Sequence, residues 1–234
     1  MFRLVNLRLL SIPQFLSIVL ILGVLSACTS STQALPTQIL PAQISATEVL
    51  TISTLPIQTS QSISTSWLSV SDRYIKDSNG KNVILRGVSL VDVSVANSRT
   101  RNANALIDMA TDHTNGWYAR VVRLPVYPGS IDGKPGWTAD PDAYFTKHLD
   151  PAVQYCISKQ IYCIIDWHYI KDYTSSEVDT ATRAFWNYVA PKYASSPNVI
   201  FELYNEPIYP DDWSTWKKTA QPWVDIIRAA APNN

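Results

Sequence analysis

From about residue 83 onward, short apolar runs rich in β-branched and aromatic residues alternate with longer stretches whose apolar positions fall at helical spacing. This alternation constrains the fold more than any other feature. The apolar runs cover residues 83–90, 118–126, 161–167 and 198–204, and helical patterns occupy 103–111, 141–159, 180–194 and 212–230. Strands that are apolar throughout and separated by helices belong to a parallel sheet buried on both faces. Within 118–126, Ala119, Val121 and Arg123 share one face and Val122 and Leu124 the other. A hairpin is expected just before, with Tyr74-Ile75-Lys76 and Val83-Ile84-Leu85 as arms and Asn79-Gly80 in the turn. A doubly wound sheet and a (β/α)8 barrel both fit the order. A nucleotide-binding sheet has little support, because the first strands lack a Gly-x-Gly-x-x-Gly turn. In either architecture ligands sit at the carboxyl ends of the strands.

Those ends carry chemistry. The last strand run, Val199-Ile200-Phe201-Glu202-Leu203-Tyr204, leads into Asn205-Glu206-Pro207. Proline cannot donate to a ladder and keeps the residue before it extended, so Glu206 is held where the chain leaves the sheet. Arg123 follows Arg120-Val121-Val122, and Asp166-Trp167-His168 follows Cys163-Ile164-Ile165. An arginine, a histidine and an Asn-Glu pair therefore converge on one rim, with Asp166 available to orient His168. Simple alternation would aim Asn205 and Glu206 to opposite faces, so a bulge or sharp turn is expected at the strand end. Tyr127, Trp137, Trp167, Tyr169, Tyr209 and Trp213 lie in or beside rim segments and are candidates for stacking on sugar rings, with ordinary packing as the competing role.

Four motifs in order resemble glycoside hydrolase family 5, the cellulase and β-mannanase family of retaining (β/α)8 enzymes: Leu85-Arg86-Gly87-Val88, Val122-Arg123-Leu124-Pro125-Val126, Ile165-Asp166-Trp167-His168 and Glu202-Leu203-Tyr204-Asn205-Glu206-Pro207. The resemblance covers residues 67–234. It implies a TIM barrel, a β-1,4-linked polysaccharide such as cellulose as substrate, and no cofactor or metal. Glu206 would be the general acid/base, Asn205 would hold the sugar 2-hydroxyl, Arg123 would orient the nucleophile, and His168 would line the cleavage subsite. Ser89 departs from the Asn that the family often carries after Arg-Gly-Val. A retaining glycosidase needs a second, ionised carboxylate about 5 Å from the acid. The nearest candidates are Asp92, Asp166 and Glu202, none of the required kind. Mannan or another β-glycan is the alternative substrate, and a sugar-binding surface lipoprotein without catalysis is the alternative class.

A (β/α)8 barrel needs eight strands and about 250 residues, whereas residues 67–234 supply about four strand-helix units. The sequence therefore reads as a barrel truncated after about four units, with the nucleophile outside the chain. The start of the chain has another character. Arg3 and Arg8 precede a short apolar run, and Leu25-Ser26-Ala27-Cys28 resembles a bacterial lipobox. Residues 1–27 read as a lipoprotein signal peptide and Cys28 as the lipidated residue. Residues 28–66, rich in Ser, Thr, Pro and Gln, read as a tether holding an exported domain at the membrane. A formal net charge of zero and the lack of a basic stripe speak against nucleic acid. An exported protein could oxidise Cys156 and Cys163, but Cys163 shares a face with Ile161 and Ile165, which suits packed thiols. With three His in the chain, a zinc site has no adequate ligand set.

Overall fold

The computed structural model describes residues 65–234. The expected signal peptide, Cys28 and nearly all of the tether lie outside the described residues. The first elements are two short antiparallel strands, β1 (Ser69–Ser71) and β2 (Tyr74–Lys76), with Val70 opposite Ile75. The expected hairpin turn is present. Asp77 accepts from the Gly80 amide through its carbonyl, Gly80 has φ +76°, and the Val83 amide donates to the Ile75 carbonyl. However, the main partner of β2 is β1. The segment after the turn makes only a single bridge, Lys76 to Asn82, before running into the barrel-type strand.

That strand is β3 (Gly87–Ser89). It is followed by α1 (Val93–Asn97) and α2 (Ala103–Thr111), then β4 (Val121–Val126). A long helix follows in pieces: α3 (Pro141–Tyr144), a π-turn stretch (Phe145–Leu149) and α4 (Asp150–Ser158). Pro151 has no N–H to return to the preceding turn, which accounts for widening at that point rather than a straight α-helix. Next come β5 (Tyr162–Trp167), β6 (Ile170–Asp172), α5 (Ser176–Val189), β7 (Val199–Glu202), β8 (Glu206–Tyr209) and α6 (Trp213–Ala230). Side-chain caps start α2, α3, α5 and α6, from Asn102, Asp140, Ser175 and Asp212 respectively.

The main sheet is parallel in the order β3-β4-β5-β7. The strands follow one another in sequence order, with β6 and β8 paired apart from the sheet, so the strand order has no reversal. A doubly wound sheet requires such a switch point, whereas a (β/α)8 barrel winds in one direction throughout. The four described units are therefore consecutive barrel units.

Parity then divides the side chains. Val88, Val122, Leu124, Val126, Cys163, Ile165, Trp167 and Val199 face the helices, where they pack with Ile107, Leu149, Val153, Phe185, Trp186, Trp223 and Ile227. Cys156 and Cys163 are buried in this layer as free thiols, as the parity of Cys163 implied. Ser89, Arg123, Ile164, Asp166, Ile200 and Glu202 fall on the opposite, inner face, where register sets Ser89 beside Arg123 and Asp166 beside Glu202. Tyr162 closes the lower end of that face, its hydroxyl donating to the Ser66 carbonyl at 2.9 Å.

Candidate active site

The inner face ends in a polar cluster centred on Arg123. Its Nε and one terminal nitrogen each donate to a different Glu202 carboxylate oxygen at 2.7 Å, a bidentate pair. The same terminal nitrogen lies 2.7 Å from Asn205 Oδ1 and 2.9 Å from Asp166 Oδ2. The other terminal nitrogen has only a long contact, 3.5 Å to Ser89 Oγ. The hydrogen bonds to Glu202 raise the Arg123 pKa further, against its partial burial. Asp166 is fully buried, and burial raises its carboxyl above the usual carboxylate range although His168 and Arg123 pull the other way. His168 Nδ1 stands 2.5 Å from Asp166 Oδ2, and its ring lies against Tyr127 with centroids 4.2 Å apart.

The expected break in alternation is found at Asn205. Strand β7 stops at Glu202, and the chain bends before β8 begins at Glu206. The Asn205 amide donates to the Trp167 carbonyl at 3.2 Å, and the very next amide, that of Glu206, donates to the Tyr169 carbonyl at 3.1 Å. In a regular ladder only every second amide points to the same neighbour, so these successive bonds mark the slip that takes both residues out of register. Arginine can only donate, so Asn205 turns its carbonyl oxygen to Arg123 and leaves its amide N–H groups for another acceptor. Glu206 is exposed, and its carboxylate has no partner among the described residues.

The other rim carboxylates are committed elsewhere. Asp92 is fully buried. One of its oxygens accepts from Ser94 N (2.8 Å), Ser94 Oγ (2.6 Å) and Val95 N (3.2 Å), capping α1. The other accepts from Tyr127 N at 2.9 Å and the Tyr144 hydroxyl at 2.6 Å. Glu202, deeper on the strand than Glu206, belongs to the Arg123 pair. Among the described residues, no group of three or more His, Cys, Asp or Glu is arranged to hold a metal ion.

The aromatic candidates divide. Trp137 and Trp167 are core residues, which corrects their assignment to sugar stacking. Trp167 has the parity of Cys163 and Ile165, so its ring stacks on Phe185 at 4.2 Å and its indole N–H donates to Thr182. Trp137 closes a folded-back loop, its backbone amide donating a hydrogen bond to the Tyr127 carbonyl, and its ring is walled by Tyr144, Phe185 and Tyr188. Tyr169 is half-buried against Trp167 and Tyr204. Tyr127 flanks His168, and Tyr209 and Trp213 are exposed at 59% and 69% beyond Glu206.

A parallel sheet wound in one direction, with its polar groups gathered at the carboxyl ends of the strands, is the architecture of a (β/α)8-barrel enzyme. Comparison with known proteins gives the family: the model described as Cellulase (glycosyl hydrolase family 5) matches residues 76–234, and the chain belongs to that family. Endoglucanase N of Pectobacterium atrosepticum is 29% identical over 171 residues, 71% of this chain and 35% of the relative. Endoglucanase A of Butyrivibrio fibrisolvens is 26% identical over 166 residues, 69% of this chain and 36% of that protein. A β-glucanase from Saccharophagus degradans, solved in complex with cellotetraose, superposes with a TM-score of 0.60 at 29% identity, covering 73% of this chain and 52% of that one. The catalytic domain of Thermobifida fusca endoglucanase shares the fold, with a TM-score of 0.60 at 23% identity over 73% of this chain and 52% of that one. The chain thus spans about a third of the length of these curated relatives and about half of the solved domains.

Proposed function

We propose that this chain carries the acid/base half of a retaining β-1,4-glycanase site acting on cellulose-like β-glucan. The observation that carries the reading is the slipped exit from β7, which leaves Glu206 free at the rim beside an Asn205 whose amide is fixed by Arg123. In this mechanism Glu206 protonates the leaving glycosidic oxygen and then takes a proton from the water that releases the sugar. The Asn205 N–H groups donate to the sugar 2-hydroxyl. The guanidinium nitrogen of Arg123 that touches only Ser89 is the one free to hold an ionised nucleophile. That nucleophile comes from outside residues 65–234, because Asp92 and Glu202 are occupied and Asp166 is buried. The endoglucanase names of the relatives and the cellotetraose bound by the structural neighbour favour glucan over mannan.

The same carboxylate count supports a second reading, a sugar-binding surface protein without catalysis. Calorimetry with cellotetraose and turnover of carboxymethylcellulose separate the two. For the catalytic reading, the chain binds cellotetraose, Asn205→Ala weakens binding about tenfold, or about 1.4 kcal/mol, and hydrolysis requires a second carboxylate supplied by further barrel strands. Binding that never becomes hydrolysis when those strands are supplied supports the second reading. Absence of binding to either cellotetraose or mannotetraose defeats both.

The protein is further proposed to be exported and anchored through lipidated Cys28, on the strength of Leu25-Ser26-Ala27-Cys28. Incorporation of labelled fatty acid that survives Cys28→Ala would overturn this.

A further inference from the structure

We infer that Asp166 is a positioning residue that fixes the tautomer of His168, so that Nε2 faces the rim as a hydrogen-bond acceptor and selects for a donating hydroxyl on the ligand. The consequence for the ligand rests on the proposed reading of this rim as a sugar site; the tautomer itself does not.

The geometry is asymmetric. A single Asp166 oxygen, Oδ2, takes both His168 Nδ1 at 2.5 Å and Arg123 at 2.9 Å, while Oδ1 is buried with no hydrogen-bond partner. The carboxylate is therefore not solvated. Its orientation is set by those two neighbours, and it sets theirs.

The hydrogen bond between Asp166 and His168 needs one proton, and that proton can sit on either side. Were it on Asp166, the ring would accept at Nδ1 and carry its own proton on Nε2, facing the ligand as a donor. Were it on His168, Nδ1–H would donate and Nε2 would keep its lone pair. Imidazole is the stronger base by more than two pK units in ordinary peptides. The guanidinium on the same oxygen further favours the ionised carboxylate. Burial of Asp166 pushes the other way, and against it these two effects place the proton on Nδ1.

The remaining contacts of the ring do not compete for that proton. Tyr127 lies against its face, and the His168 backbone amide is tied to the Val126 carbonyl at 2.9 Å. The ring is thus held at Nδ1 and against one face, and Nε2 has no hydrogen-bond partner among the described residues. A donor-only group facing that nitrogen is accepted, and an acceptor-only group, such as an ether oxygen, is not.

Nitrogen-15 spectra of the ligand-free full chain, recorded at a pH where the ring is neutral, test the assignment without any need for turnover. The expected result is a pyrrole-type Nδ1 and a pyridine-type Nε2 for His168, identified by their loss in His168→Asn. In Asp166→Ala the ring should relax to a mixture of tautomers. In Asp166→Asn, whose amide oxygen can occupy the Oδ2 position, the Nδ1–H form should be retained. If Asp166→Ala fails to fold, the wild-type spectrum and Asp166→Asn still decide. A protonated Nε2 in the wild type, or a mixture there, overturns the inference. So does an unchanged tautomer in folded Asp166→Ala. Failure of the same protein to bind either cellotetraose or mannotetraose would count against the proposed function and leave this result standing.

Discussion

Replacing Asp92 tests whether that buried carboxylate is structural rather than catalytic. Asp92→Ala removes the cap of α1, a loss of about 1 kcal/mol. It also strands two donors, the Tyr127 amide and the Tyr144 hydroxyl. A buried donor without a partner costs about 1–3 kcal/mol. Tyr144 is buried and bears the full cost, while half-buried Tyr127 recovers part of its share from water. The expected loss is therefore roughly 3–5 kcal/mol, a large share of the ~5–15 kcal/mol of an ordinary domain. Asp92→Asn can keep the cap through its remaining oxygen but turns an N–H toward the Tyr127 amide, for a loss of about 1–3 kcal/mol. Tyr144→Phe removes a single bond, for about 1 kcal/mol. Urea titration of the full chain and the three variants, followed by tryptophan fluorescence, gives these differences directly. Asp92→Ala within about 1 kcal/mol of the parent would refute the reasoning and reopen Asp92 as a candidate nucleophile.

Three further outcomes are expected. In Gly87→Ala the new methyl would lie 1.7 Å from the Val121 carbonyl oxygen, so β3 must separate from β4; a loss of about 3 kcal/mol or more is expected, and an unchanged urea midpoint would show that the strands are not so close. Burial raises the phenols of Tyr144, Tyr193 and Tyr204, and the hydrogen bond to Asp142 raises Tyr188 to about 12. The folded chain therefore holds more tyrosine protons than the unfolded one, whose tyrosines titrate near 10. Stability should be whole below about pH 10 and fall as pH rises from there toward the folded values, and a urea midpoint flat to pH 11.5 would contradict this. Trp137→Ala or Trp167→Ala should cost about 3–5 kcal/mol, whereas Tyr209→Ala and Trp213→Ala should leave stability unchanged and weaken cellotetraose binding; the reverse pattern would place the sugar contacts elsewhere.

Much of this is legible in the sequence alone. The alternation of apolar runs and helical patterns implies the parallel sheet, and the ends of those runs place Arg123, His168, Asn205 and Glu206 on one rim. Even the break at the end of the strand leading into Asn205 followed from its two-residue period. The same period, applied strictly, would also have removed Trp167 from the rim, since it shares parity with Cys163 and Ile165. Trp137 was harder, because its burial depends on how the loop from Tyr127 folds back. The β1 partner of β2 was missed because Ser69-Val70-Ser71 is too short and polar to announce a strand. The five hydrogen bonds of Asp92 were not legible either. They join three segments far apart in sequence, and only the cap of α1 is local.

The central claim is that Glu206 supplies the proton in glycosidic cleavage. The most direct test is Glu206→Ala in the catalytically competent barrel that contains these residues, compared on cello-oligosaccharides and on aryl cellobiosides with activated leaving groups. The account predicts a large loss on the oligosaccharides, a much smaller loss of the first step on the activated glycosides, and recovery of the second step with azide as the incoming nucleophile. Equal loss on both substrate classes, with no azide product, would contradict it.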